Sequence, residues 1–140
     1  MGEIIRIYHT DITLPDQPAI EEIEDWGQPK ENQYWRRKPL PKIFKILQRD
    51  DDGNIELTKE QEDFCNQELD RVRNGFWFFL NGVPTYITGR HYYYLQYWTL
   101  ENRKHPEYRD TSRRYYLYLE HWFNVYWCKG VLRGKGRRSG

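Results

Sequence analysis

Cysteine, long apolar runs and net charge are all in short supply here, and each shortage excludes something. Cys65 and Cys128 are the two cysteines among 140 residues, a usage that fits a reducing compartment. No apolar run approaches the roughly 20 residues needed to cross a bilayer, which excludes a membrane-spanning helix. Hydrophobic residues make up 38% and mean hydropathy is −1.02, a low apolar share for a length that suits one modest domain. The opening MGEIIRIYHTD has no basic segment followed by an apolar core, so the sequence predicts no signal peptide and a cytoplasmic location. His9, His91, His105 and His121 are scattered without metal-ligand spacing, and no Ser/His/Asp set follows from the order of residues. No metal site is predicted.

The balance of 22 Lys+Arg against 21 Asp+Glu conceals an asymmetry. Residues 1–70 hold 9 basic and 17 acidic side chains, a net of −8, whereas residues 71–140 hold 13 and 4, a net of +9. Of the 24 aromatic residues, 18 lie between Phe76 and Trp127. A basic, aromatic half suits a polyanion, because cations neutralise phosphate and rings stack on bases.

Three segments follow from composition. Residues 1–41 read as an irregular acidic arm, since Pro15, Pro18, Pro29, Pro39 and Pro41 interrupt any long helix. Within it, the alternation Glu3-Ile4-Ile5-Arg6-Ile7-Tyr8 predicts an edge strand, and one or two helical turns fit residues 19–26. Residues 42–75 read as a hairpin plus helix. Ile43-Phe44-Lys45-Ile46-Leu47 and Ile55-Glu56-Leu57 flank an Asp52-Gly53 turn. A calcium loop has only a neutral Gln48 at its first ligand position and fails at Lys59, where the bidentate Glu belongs. Asp50, Asp51 and Asp52 point apart on a turn, so they predict no two-metal centre. Thr58 and Gln61 have capping-box form, and the helix they open ends at Asn74-Gly75.

Residues 76–140 form the aromatic, basic segment. Asn81-Gly82 between Phe76-Trp77-Phe78-Phe79-Leu80 and Val83-Pro84-Thr85-Tyr86-Ile87 predicts a second hairpin. Thr88 caps a helix through Trp98, and Asp110 or Thr111 caps a longer one to about Trp127. On that last helix Tyr115, Leu119, Trp122 and Tyr126 form an apolar stripe that reads as core. The fold class is α+β, with short hairpins and about three helices.

The chain then runs through a β-prone Gly130-Val131-Leu132 into a glycine-rich, basic stretch whose candidate anion ligands are Gly134, Gly136, Arg137, Arg138, Ser139 and Gly140. Glycines let backbone N–H groups turn toward an anion, and guanidinium groups add charge and bidentate reach. A full P-loop needs Lys and then Ser or Thr straight after Gly140. Taken alone, the stretch reads either as a partial phosphate cradle or as a solvated basic tail.

The blocks 84–98 (PTYITGRHYYYLQYW), 106–110 (PEYRD) and 113–116 (RRYY), in that order before the glycine-rich stretch, resemble the region preceding the Walker A motif in terminase large subunits of tailed phages, the crAss-like phages in particular. The resemblance covers about 76–140. It implies the entry to a P-loop ATPase domain, its first strand and P-loop left incomplete, within an ATP-driven motor for viral DNA packaging and virion assembly that also carries a nuclease domain. It further implies ATP and Mg²⁺ as cofactors of the full-length protein, double-stranded DNA, the portal and the small terminase subunit as partners, and a place in the host cytoplasm and transiently at the procapsid portal vertex. By the same resemblance Arg137 takes the position of a phosphate-sensing catalytic arginine, and Gln96 that of an adenine contact, against its plain reading as a surface glutamine. The catalytic Lys, the Walker B acids and the nuclease carboxylates have no counterpart here, so the fragment is expected to be inactive alone. The competing reading is a small nucleic-acid-binding module with Arg90, Arg103, Lys104, Arg113 and Arg114 on phosphates.

Overall fold

The computed structural model describes residues 2–28, 33–99 and 106–128. Its elements alternate short strands with three helices, an α+β arrangement. In chain order these are β1 (Ile4–Ile7), β2 (Thr10–Thr13), a 3-10 turn (Ile20–Glu22), β3 (Glu24–Gln28), β4 (Gln33–Tyr34), a second 3-10 turn (Lys42–Lys45), β5 (Gln48–Arg49) and β6 (Ile55–Glu56). They continue with α1 (Lys59–Asn74), β7 (Phe76–Leu80), β8 (Val83–Ile87), α2 (Gly89–Tyr97), β9 (Glu107–Tyr108) and α3 (Asp110–Val125).

The β7–β8 hairpin is the organising element. Asn81 and Gly82 both adopt positive φ, at 51° and 79°, the two-residue turn geometry whose twist matches that of the strands. The pairing runs Phe76 opposite Ile87 to Leu80 opposite Val83. Side chains alternate across the sheet, so the two faces serve different cores. Phe78 and Ile87 join Trp26, Trp35, Tyr92, Leu95 and Tyr108 on one side, with Phe76 and Leu80 packed against them. Tyr86, backed by Trp77, joins Ile7, Ile12, Leu14 and Leu117 on the other. Pro84 is accommodated because β8 is an edge strand of the order β3-β7-β8.

Helix α1 begins as its sequence dictates. The Thr58 hydroxyl accepts from the Gln61 amide at 3.3 Å, and the Gln61 side chain accepts from the Thr58 amide at 2.9 Å, completing a capping box. The helix ends where Gly75 turns left-handed at φ 73°. A Cβ there would lie 2.3 Å from the Ile87 carbonyl oxygen, and one on Gly89 would lie 1.8 Å from that of Val72. These two glycines let the end of α1 and the start of α2 touch backbone to backbone.

Several expectations need correction. The 1–41 stretch is not largely irregular: β1 and β2 pair antiparallel and β3 pairs in parallel with β7. Pro15 and Pro18 lie between β2 and the first 3-10 turn, outside the strands, and Ile7, Ile12, Leu14, Trp26 and Trp35 are buried. The 43–57 hairpin is shorter than its residues suggest, because 42–45 coil into the 3-10 turn and only Gln48–Glu56 and Arg49–Ile55 pair. Neither Asp110 nor Thr111 caps α3; Arg109 takes that position without a side-chain bond, and Asp110 lies in the first turn. The stripe Tyr115, Leu119, Trp122 and Tyr126 is not the buried face. Leu117 alone on α3 is fully buried, while Tyr126 is largely exposed. All faces of this helix carry aromatics, so apolar spacing could not distinguish the inner one.

Candidate functional site

The three sequence blocks that carry the resemblance meet at the β8–α2–α3 junction. Thr88 opens α2, its hydroxyl accepting from the His91 amide at 3.2 Å, so the first helical turn is fixed by a side-chain cap. The His91 ring lies between the rings of Tyr108, centroids 5.6 Å apart, and Tyr116, centroids 4.7 Å apart and nearly parallel. Residues 84–98, 106–110 and 113–116 each contribute one layer of this stack. His91 is fully buried, and neither ring nitrogen has a hydrogen-bond partner among the described residues. Burial, reinforced by the Arg113 guanidinium, lowers its pKa to about 3, so the imidazole is neutral at physiological pH. Arg113 crosses to β8 and donates from Nε to the Tyr86 carbonyl at 2.7 Å.

A second cluster ties α1 to α2. The Glu68 carboxylate accepts from the Tyr92 hydroxyl at 2.8 Å, from the Tyr97 hydroxyl, and from Arg71 at 2.9 Å. Arg71 also donates to Glu24 of β3 at 2.6 Å. Burial and the adjoining Glu68 carboxylate push the hydroxyl pKa values of both tyrosines upward. Tyr86 is likewise pushed up, to about 12, by burial and the Glu120 charge, and its hydroxyl donates to the Asn74 carbonyl at 2.6 Å.

Gln96 is not on the surface. Its side-chain oxygen accepts from the Trp35 indole at 3.1 Å and its side-chain nitrogen donates to the Lys38 carbonyl at 3.0 Å. Arg37 adds bonds to the carbonyls of Leu95 and Trp98 at the open end of α2, where unsatisfied carbonyls attract cations. The amide of Gln96 thus clamps the 35–38 segment to the helix through one bond at its oxygen and one at its nitrogen. The other side of α2 borders a cleft of about 560 Å³ lined by Val72, Arg90, Tyr93, Tyr94, Trp98 and Tyr116. Tyr93 and Trp98 are about half exposed there and offer flat apolar faces to a planar ring.

Of the cations that composition suggested for phosphate, Arg90 pairs with Glu120 at 2.5 Å and lies over the Phe123 ring. Arg113 is taken up by Tyr86, and Arg114 donates to the Arg6 carbonyl at 3.3 Å. Arg103 and Lys104 lie outside the described residues, as do the 130–132 segment and Gly134, Gly136, Arg137, Arg138, Ser139 and Gly140. No group of three His, Cys, Asp or Glu side chains able to hold a metal ion occurs among the described residues, and no described helix is long and apolar enough to cross a membrane. Sequence reasoning missed the Glu68 cluster and the aromatic stack on His91. The i,i+3 pair Glu68–Arg71 was the one local signal for the former; the latter joins residues 17 to 25 positions apart with no periodic mark. The chain matches no protein-family model, no curated protein and no solved structure.

Proposed function

We infer that this chain is the N-terminal part of a phage DNA-packaging terminase large subunit, the approach to the P-loop of an ATP-driven genome translocation motor. The observation that carries the reading is the block order PTYITGRHYYYLQYW, PEYRD, RRYY and then a basic glycine-rich stretch. The meeting of the first three blocks around His91 supports treating them as one unit. In this reading α2 and α3 are a rigid support, fixed by the Glu68 cluster and by Gly75 and Gly89 at the α1–α2 approach. The 134–140 stretch is the phosphate-facing end, with backbone N–H groups, Arg137 and Arg138 directed at nucleotide phosphates. ATP and Mg²⁺ are then cofactors of the complete motor. Residues 1–140 alone lack the lysine that grips the β/γ-phosphates, so this stretch by itself turns nothing over. Gln96 enters as a clamp that holds the support together rather than as a base contact, because it is buried and its side chain bonds Trp35 and Lys38.

The deciding experiment is to read the gene past Gly140. The expected result is Lys followed by Ser or Thr, and further on an apolar run ending in Asp-Glu. A verified stop codon with no downstream frame overturns the proposal. A nucleic-acid-binding module is the competing reading; the ion pair of Arg90 with Glu120 and the bond of Arg113 to the Tyr86 carbonyl count against it.

A further inference from the structure

Residues 45–60 are exposed without interruption, in a segment that is far from polar. Leu40, Ile46, Leu47, Ile55, Leu57 and Leu69 all stand out of the surface, Ile46 at 77% and Leu40 at 67%. Ile46, Leu47, Ile55 and Leu57 lie in one stretch around the second 3-10 turn and the β5–β6 hairpin. The Gln61 side chain donates to the carbonyls of Ile43 at 2.8 Å and Ile46 at 3.1 Å, and Phe44 packs edge-on against Phe64 at 5.4 Å. These contacts hold the second 3-10 turn against the first turns of α1, and the β5–β6 hairpin follows that turn in the chain. Scattered exposed aliphatics are ordinary, but a concentration of this kind marks a contact surface.

Charge narrows the occupant. Residues 40–70 hold 4 Lys+Arg against 9 Asp+Glu, a net of −5. Asp50, Asp51, Asp52, Glu56, Glu60, Glu62 and Asp63 are all exposed, and none makes an ion pair with a described residue. Nucleic acid and anionic lipid are repelled by such a surface. A second copy meeting it face to face would set one −5 lobe against another. We propose that the 40–69 lobe docks a cationic segment of a partner protein, aliphatic side chains of that segment seated among Ile46, Ile55 and Leu57 and its Lys or Arg residues meeting the Asp50–Asp52 turn and Glu56. The lobe's function is independent of the terminase reading.

The test uses two synthetic 14-residue amphipathic peptides, one of Leu and Lys and one with Glu in place of every Lys, titrated into the isotopically labelled chain. The Leu/Lys peptide is expected to bind with shift changes confined to 40–69, and to weaken about tenfold between 50 and 500 mM salt. The Leu/Glu peptide is expected not to bind. Ile46→Ser with Ile55→Ser, and separately Asp51→Asn with Asp52→Asn and Glu56→Gln, are each expected to weaken binding at least tenfold. All five positions are exposed, so the spectrum away from the lobe reports that the fold is retained. Absence of binding, binding unmoved by either variant, or shifts centred elsewhere overturns the proposal. So does a concentration-dependent dimer abolished by the Ile variant, which would assign the lobe to a second copy.

Discussion

Replacing Gln96 with Ala removes both ends of a clamp at once. The Trp35 indole N–H, on a side chain 1% exposed, loses its acceptor at 3.1 Å, and the Lys38 carbonyl loses its donor at 3.0 Å. The indole is the costlier loss, because a buried donor left unsatisfied costs about 1–3 kcal/mol, whereas the Lys38 carbonyl is nearer solvent and costs about 1 kcal/mol. The total is about 2–4 kcal/mol, out of about 5–15 kcal/mol for a domain of this kind. With a urea m-value of about 2 kcal/mol/M the unfolding midpoint falls by about 1–2 M at unchanged m. The assay is equilibrium urea denaturation followed by tryptophan fluorescence, in which Trp35 is one of six tryptophans. A double-mutant cycle with Trp35→Phe isolates the pair, with an expected coupling of about 1 kcal/mol. A loss below about 0.5 kcal/mol for Gln96→Ala, the range of surface substitutions, would refute the clamp and return Gln96 to the surface role that its residue type suggests.

Gly89→Ala forces a Cβ to within 1.8 Å of the Val72 carbonyl oxygen; helices α1 and α2 must separate, and thermal melting should show a loss of more than about 3 kcal/mol. Because His91 is held neutral, with a pKa near 3 folded against about 6.5 unfolded, the unfolded chain binds the extra proton between those values. Its contribution is complete above pH 6.5 and is lost as pH falls toward 3, by about 2 kcal/mol at pH 5; His91→Phe should flatten that part of a pH series of urea melts. Glu68→Gln weakens the acceptor shared by Tyr92, Tyr97 and Arg71, and leaves Arg71 with Glu24 alone. Stability should fall by about 3 kcal/mol, and spectrophotometric titration should show two tyrosines ionising at lower pH than in the parent chain.

Local chemistry was legible wherever a turn or cap is specified by residues close in sequence. Thr58 with Gln61, Asn81 with Gly82 and Thr88 all act as their positions foretell, since each satisfies backbone groups three or fewer residues away. What sequence hid is long-range. The β1–β2 turn is made by Tyr8 and His9 at φ 49° and 63°, without the Gly or Asn that normally announces left-handed backbone, and the Tyr8 ring packs on Tyr118 of α3 at 5.1 Å. Trp26 and Trp35 come from a stretch too rich in proline and acid to suggest burial, yet they line the larger core. On α3 the abundance of aromatic residues erased the contrast that periodicity needs. For the candidate site, the cap and the block order were visible, but the neighbours of Gln96, 58 and 61 residues away, were not.

The two-faced β7–β8 hairpin has a consequence for how the molecule opens. A strand pair that walls both cores cannot lose one of them while keeping the other intact, so the amides that β7 and β8 pair with each other should exchange with solvent only through global unfolding. The β5–β6 hairpin, with two paired positions and no buried side chain, should exchange at rates set by local opening. Deuterium uptake would then divide the chain into a slow centre around Phe78 and Tyr86 and a fast lobe at 45–60, a kinetic map in which the least protected backbone coincides with the surface assigned to a partner.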